Sequence, residues 1–329
     1  MKNNIILLLL LFSLSTSAQE NFKRTLILMG SRFDITVVAS NEKEGNEYID
    51  SAIFEITRIE KLISSWDLNS ETSLINKHSG IKPIKVDKEL FDLIERSIAI
   101  STLTNGAFDI SYASMDRIWN YDGSMREMPS KEEISNSIKK VGYQNISIDK
   151  EAQTVFLKLK GMKIGFGAIG KGYAADKAKA LLIEKGVKAG IINASGDLNA
   201  WGKQADGSDW MVAINNPLNK NKVFSWLPIN DSAIVTSGNY EKFISFDGIR
   251  YSHIIDPRTG YPSTGIISTS IMTSNAELAD AISTSVFVMG VETGLDFKLD
   301  LSYLSNNLYH ISFTDANNIR SSSKIMVSH

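Results

Sequence analysis

The chain has no cysteine among its 329 residues. That absence excludes disulfides, thiolate metal sites, a cysteine nucleophile and a lipid-bearing cysteine. Prolines number six, and no Pro-rich or low-complexity stretch marks a linker. Charge of one sign is lacking too: 35 Lys and Arg stand against 37 Asp and Glu, a formal net charge of -2 with no basic block. A nucleic-acid binder would carry a positive stripe, so that class is disfavoured. Long hydrophobic runs are missing as well, and the longest, Ile5 to Phe12, is short for a bilayer span. No internal repeat appears. The apolar fraction of 43% and charged fraction of 22% are those of an ordinary globular protein large enough to bury a sizeable core.

The apolar run has another use. Lys2 precedes it, and Ser13 to Ala18 follows it with Thr16 and Ala18 at positions that suit a signal peptidase. Residues 1–18 therefore read as a secretory signal peptide, with an uncleaved anchor as the alternative. Residues 19–329 then form one domain of an exported, periplasmic protein, free or associated with the outer face of the inner membrane.

Helical and extended patterns mix without regular βαβ alternation. Asn46 to Trp66 places Ile49, Ile53, Ile56, Ile59 and Ile63 on one helical face. Lys88 to Thr104 reads as a second helix closed by Asn105-Gly106. Ser130 to Lys140 opens with a Ser-x-x-Glu capping box, and Ser274-x-x-Glu277 opens a helix running to about Met289. Lys171 to Glu184 is also helical, whereas Asp67 to Asn76 is polar and reads as a loop. Strands are expected at Thr25–Met29, Phe33–Val38, Ile146–Ile148, Thr154–Leu159, Ala189–Asn193, Trp210–Ile214, Val223–Pro228, Ser232–Thr236 and Ile266–Thr273. Phe243–Phe246 and Arg250–Ile254 pair around Asp247-Gly248, a hairpin turn signal. The class is α+β, with largely antiparallel sheets and packed helices.

Tyr251 to Pro262 (YSHIIDPRTGYP) concentrates the polar chemistry: a short strand delivers His253 into a turn built from Asp256-Pro257 and Thr259-Gly260. The bland alternative is a surface turn with an exposed histidine. Gly165-Phe166-Gly167-Ala168-Ile169-Gly170 matches G-x-G-x-x-G before a helix. The segment ahead of it, Val155 to Lys160, alternates apolar and charged residues. A Rossmann first strand is buried on both faces and is a continuous apolar run, so a dinucleotide site of that kind is disfavoured. The glycines still suit an anion at a helix N-terminus, with Lys171 as a point charge, or merely a tight turn. Asp280 and Thr284 lie four apart and share a helix face, with Ser283 beside them. Two oxygens there suit a hard cation, or an ordinary edge of the apolar face. Phe108 and Asp109 suit a planar ligand, by stacking and by accepting its N–H groups, or a core Phe beside an exposed Asp.

Taken in order, these blocks resemble the ApbE family of FAD:protein FMN transferases over about Thr25 to Ser322. The matching pieces are Met29-Gly30-Ser31, Ser64-Ser65-Trp66 with Ser70-Glu71-Ser73-Asn76, Gly106 to Ile110, and Gly167 to Asp176. They continue with Ser195-Gly196-Asp197, Thr236 to Tyr240, Ser252 to Gly260, and Ala279-Asp280-Ala281 with Thr284. Gly165 stands where many relatives carry Asp, Ser31 where Thr is usual, and Ser195 where Gly is frequent.

The resemblance implies a T-fold-related architecture and an exported, Mg²⁺-dependent enzyme. It implies that the FMN half of FAD passes to a Thr or Ser hydroxyl of a partner flavoprotein, releasing AMP. The acceptor carries a D-[GS]-x-[ST]-G-[AS]-[ST]-type segment, as in redox-pump subunits. Metal ligands are implied at the Ala168 carbonyl, Asp280 and Thr284, with Ser283, and flavin or adenine contacts at Met29, Ala107, Phe108, Asp109, Lys171, Asp197, His253 and Ile254. His253, Asp280 and Lys171 are the expected catalytic residues, His253 as acceptor of the hydroxyl proton. Hydrolysis of FAD to FMN and AMP at the same site, or a non-catalytic periplasmic flavin-binding protein, are the competing readings.

Overall fold

A computed structural model of the chain describes residues 19–215, 223–239, 242–297, 309–315 and 320–325. The expected leader, Tyr240 and His329 lie outside these residues.

The first two strands, β1 (Glu20–Leu28) and β2 (Ser31–Ala39), pair antiparallel across a tight turn at Met29 and Gly30, whose φ values are 50° and 67°. Helix α1 (Glu42–Ile63) starts before the expected Asn46, because Asn41 caps it by accepting from the Glu44 N–H at 3.0 Å. The expected loop at 67–76 instead contains a short helix, α2 (Glu71–Lys77), capped by Ser70, which accepts from the Ser73 N–H at 2.9 Å. Next come β3 (Ile84–Lys85), α3 (Lys88–Leu103) and α4 (Lys131–Ser137), the last with the expected Ser130–Glu133 capping box. Strands β4 (Ile146–Asp149) and β5 (Thr154–Leu157) pair as expected.

After α5 (Gly170–Glu184) the chain is mostly extended. It forms β6 (Gly190–Ala194), β7 (Asp197–Trp201), β8 (Trp210–Asn215), β9 (Val223–Ile229), β10 (Ser232–Gly238), β11 (Phe243–Phe246), β12 (Ile249–Ser252) and β13 (Ile266–Thr273). Helix α6 (Ala276–Asp296) and strands β14 (Tyr309–Asp315) and β15 (Arg320–Ile325) follow. The expected strand through Ile254 stops at Ser252, and Ile255 keeps only an isolated bridge to Pro262.

Eight strands form one antiparallel sheet in the order β1-β2-β6-β7-β10-β13-β14-β15. Its two faces follow the period of two along each strand. Phe33, Ile35 and Val37 of β2, with Ala233 and Val235 of β10, join the main core beneath α1, α5 and α6. Val38 and Ile234 point the other way, to a second cluster closed by Trp210, Val212 and Ile229 of the β8–β9 hairpin. A three-stranded antiparallel sheet, β3-β5-β4, lies apart. The strand preceding the Gly165–Gly170 run is therefore a short antiparallel member of a small sheet, which excludes the Rossmann arrangement. Among the described residues no helix is long and apolar enough to cross a membrane.

Helices α5 and α6 meet at Gly172. A Cβ there would lie 2.1 Å from the Ala276 carbonyl oxygen, so only glycine permits this approach. The start of α6 is pinned from outside. Asp176 of α5 accepts from the Ala276 and Glu277 N–H groups at 3.0 and 2.8 Å. The cap is Asn275, which accepts from the Leu278 N–H at 2.8 Å, in place of the expected Ser274 box. Glu277 turns instead to Arg96 of α3, with a two-point contact of 2.7 and 3.1 Å.

Candidate active site

Three elements bring the charged residues together. Ser195 and Gly196, both at positive φ, make the two-residue turn between β6 and β7 and set Asp197 as the first residue of β7. Helix α5 starts at Gly170, its cap Ile169 supplies no side-chain acceptor, and Lys171 occupies its first turn. On α6, Asp280 and Thr284 point from successive turns of one face.

Lys171 Nζ forms an ion pair with Asp197 Oδ2. Asp280 Oδ2 accepts from the Gly172 N–H at 3.2 Å. The anion at the N-terminus of α5 is thus Asp280 itself, where the sequence pattern had suggested an open anion cradle. Asp197 and Asp280 are 2% and 4% exposed, so Asp280 is not the boundary residue that helix spacing alone allows. Burial pushes both carboxyls up from the ordinary range, and Asp280 raises Asp197 further, while Lys171 opposes both shifts. Burial by itself would lower the Lys171 ammonium, but the fields of Asp280 and Asp197 prevail and hold it above its ordinary value. Two buried carboxyls share one ammonium at the wall of a cleft, and added positive charge there would favour their ionised forms.

Ser237 of β10 was not expected to take part. Its hydroxyl lies 2.7 Å from Ser283 Oγ and 3.3 Å from Thr284 Oγ1. Ser283 is fully buried and donates back to the Asp280 carbonyl at 3.0 Å, so it sits behind the wall on which Thr284 stands. The signal for Ser237 was the small polar run Thr236-Ser237-Gly238 at a strand end.

His253 is carried by a separate support. Its Nδ1 lies 3.1 Å from the Lys242 carbonyl, and its backbone N–H donates to the same oxygen at 3.2 Å. A carbonyl only accepts, so Nδ1 carries the proton and Nε2 is the basic nitrogen. The following turn is structural. Asp256 closes on Arg258, Nε to Oδ1 at 2.9 Å and Nη2 to Oδ2 at 2.8 Å. Gly260 adopts φ 76° and donates to the Asp256 carbonyl at 2.8 Å, while its own carbonyl accepts from Trp119 Nε1 at 2.9 Å. Trp119, Ile134, Ile244 and Ile255 form a small core of their own under this turn.

Between these supports runs a cleft of about 650 Å³, a size that suits a small-molecule ligand. Of the expected residues, Ala107, Phe108, Asp109, Ala168, Lys171, Asp197, His253, Ile254, Asp280 and Thr284 line it. Met29 does not; it occupies the β1–β2 turn with its side chain against the main core, and Ser31 lines the cleft in its place. Phe108 is 2% exposed and belongs to the main core, so it forms wall and presents no open stacking face. Asp109 accepts from the Ser111 and Tyr143 N–H groups at 2.7 and 2.8 Å, which makes it chiefly a tie between two loops. Trp66, 83% exposed at the rim, belongs to one of the matching sequence blocks but was given no site role, because an isolated surface tryptophan carries no spacing signal. Among the described residues no three His, Asp or Glu cluster as a metal site, so a cation here would rely on hydroxyl and carbonyl oxygens beside the carboxylates.

Comparison with known proteins addresses the family and the fold. The profile of the ApbE family matches residues 29–302. A FAD:protein FMN transferase of Escherichia coli K12 is 28% identical over 270 residues, covering 80% of this chain and 77% of that protein. One from Treponema pallidum is 30% identical over 248 residues, covering 71% and 68%. The crystal structure of the ApbE protein of Thermotoga maritima superposes with a TM-score of 0.80 at 30% identity, covering 92% of this chain and 97% of its own. With a family match across most of its length and a shared fold, the chain belongs to the ApbE family.

Proposed function

We propose that the protein is an exported, Mg²⁺-dependent FAD:protein FMN transferase. The observation that carries the reading is the convergence of Lys171, Asp197, Asp280, Thr284 and His253 on one cleft of about 650 Å³. Phosphoryl transfer needs charge neutralisation and alignment more than covalent help, and these residues supply such groups. The donors that suit a cation are all oxygens: the Asp280 carboxylate, the Thr284 hydroxyl and the Ala168 carbonyl. That all-oxygen set fits a hard ion such as Mg²⁺, whose charge would favour the ionised carboxylates. When bound, such an ion offsets negative charge on the pyrophosphate and its leaving group.

The acceptor hydroxyl oxygen attacks the phosphorus of the FMN half. A phosphate ester forms, the P–O bond to the bridging oxygen breaks, and AMP leaves with that oxygen and its electron pair. The hydroxyl proton passes to His253 Nε2, the basic nitrogen in the tautomer fixed by the Lys242 carbonyl. Lys171 balances charge near the pyrophosphate and holds Asp197 in place. The acceptor in this reading is an exported or membrane flavoprotein with a D-[GS]-x-[ST]-G-[AS]-[ST]-type segment, such as a redox-pump subunit. Export rests on the sequence of residues 1–18.

The test uses purified residues 19–329 with FAD, Mg²⁺ and an acceptor carrying that segment. AMP release together with a mass gain of one FMN on the acceptor, absent when its Thr is replaced, is the expected result. Free FMN and AMP with an unchanged acceptor would make the protein a hydrolase, and no AMP at all would leave a flavin-binding protein.

A further inference from the structure

A second cavity of about 600 Å³ adjoins the catalytic cleft. The two share Ser65, Trp66, Tyr112, Ala113 and Ile255 as walls, so they lie side by side. Their linings differ in charge. The catalytic cleft carries buried carboxylates, whereas the second cavity is lined by Arg117, Lys140 and Lys163 against Asp116 alone. Lys140 pairs with Asp116 at 3.6 Å. Arg117 and Lys163 are exposed and have no acidic partner among the described residues. Tyr121 stands at the junction. Its ring meets the His253 imidazole edge to face, with centroids 6.4 Å apart and planes at 83°. Its hydroxyl is buried and has no hydrogen-bond partner among the described residues. A buried phenol without a partner costs free energy unless a ligand supplies one.

We infer that this second cavity seats the acceptor polypeptide, binding an acidic residue near the acceptor hydroxyl through Arg117 and Lys163 while Tyr121 hydrogen-bonds its backbone. The inference rests on the transferase reading and says where the protein substrate lies. Occupancy there brings a hydroxyl to the His253 side of the catalytic cleft, the side on which the proton must be removed. The cations are rim groups open to water, so their contribution falls with added salt. Lys171 and the groups that face FAD lie in the other cleft, which makes the two substrates separable by mutation.

The experiment compares wild type with Arg117→Ala/Lys163→Ala and with Tyr121→Phe. FAD affinity is read by flavin fluorescence with Mg²⁺ present, and transfer by FMN mass gain across a series of acceptor concentrations. In the double variant, KM for the acceptor is expected to rise about tenfold or more, with FAD affinity and kcat within about twofold of wild type. Its kcat/KM should also lose most of its salt dependence. Replacing the acidic residue of the acceptor segment by its amide should weaken wild type and leave the double variant nearly unchanged. Tyr121→Phe removes one hydroxyl and should raise the acceptor KM about fivefold. Weakened FAD affinity in the double variant would overturn the proposal and assign the cavity to the nucleotide. Unchanged acceptor KM in both variants would also overturn it. A wild-type enzyme that releases AMP but modifies no acceptor would refute the transferase reading itself, and the acceptor groove would fall with it.

Discussion

Lys171 is the cation that two buried carboxylates share, and its removal shows how the site is held. Lys171→Met leaves Asp197 and Asp280 facing each other without a counter-charge. Breaking a buried pair in this way costs about 3 kcal/mol or more, so urea unfolding should report a loss of that size together with loss of transfer. Thr284→Val is milder, because the side chain keeps its shape and gives up only the 3.3 Å contact with Ser237. It should fold normally and raise the Mg²⁺ concentration for half-maximal transfer by about tenfold or more, read by metal titration. At this scale the sequence was informative about chemistry and silent about surroundings. Asp280 and Thr284 were visible from four-residue spacing, but that Asp280 terminates the N-terminus of α5 depends on the α5–α6 crossing. Phe108 and Asp109 lie in a ligand-suited pattern, yet packing turned one into core and the other into a loop tie.

Elements are locked by contacts that short-range patterns do not reveal. Glu89 of α3 accepts from Arg58 of α1 at 2.7 Å and from the Tyr173 hydroxyl of α5 at 2.7 Å, with Lys177 Nζ at 2.9 Å. Burial alone would raise its carboxyl, but these three donors prevail and hold it at about 2. A carboxyl depressed in the folded state stabilises above its unfolded value and loses that contribution as pH falls. The window here runs from about 4.5 down to about 2. The partners are partly exposed, so about 2 kcal/mol is a fair size after screening. Unfolding of wild type and Glu89→Gln should differ by about that amount at pH 7, by less at pH 3, and converge only at about pH 2 and below. Gly172→Ala drives a Cβ onto the Ala276 carbonyl and should cost about 3 kcal/mol in thermal or urea unfolding. Helices α1, α3 and α4 were legible from apolar period and caps, as were most strands. Helix α2 was not, because its seven residues offer too few turns for a period to emerge. The start of α6 was misassigned by one residue because Glu277 prefers a two-point pairing with Arg96 to closing a box on Ser274.

At the scale of the whole molecule, the proposed catalytic groups come from two separately packed supports. Asp197, Lys171, Asp280 and Thr284 ride on the eight-stranded sheet and its helices, whereas His253 is carried by the small core of Trp119, Ile134, Ile244 and Ile255. The α+β class was legible because helical and extended segments follow no regular βαβ alternation, and the β4–β5 and β11–β12 pairings because turn residues join their strands. The strand order was not, since β6, β7 and β10 enter the sheet between β2 and β13 through contacts remote in sequence. If residues 1–18 direct export, the mature protein should begin at Gln19, which N-terminal sequencing of secreted material would read; an intact Met1 start would assign that segment as an anchor. The most direct test of the account sets wild type, His253→Ala and Asp280→Asn side by side with FAD, Mg²⁺ and one acceptor, and follows the acceptor's intact mass. The account predicts addition of FMN by wild type and a loss of at least a hundredfold in rate for both variants, with each still folded. Equal labelling by either variant would contradict the assignment of this cleft as the site of transfer.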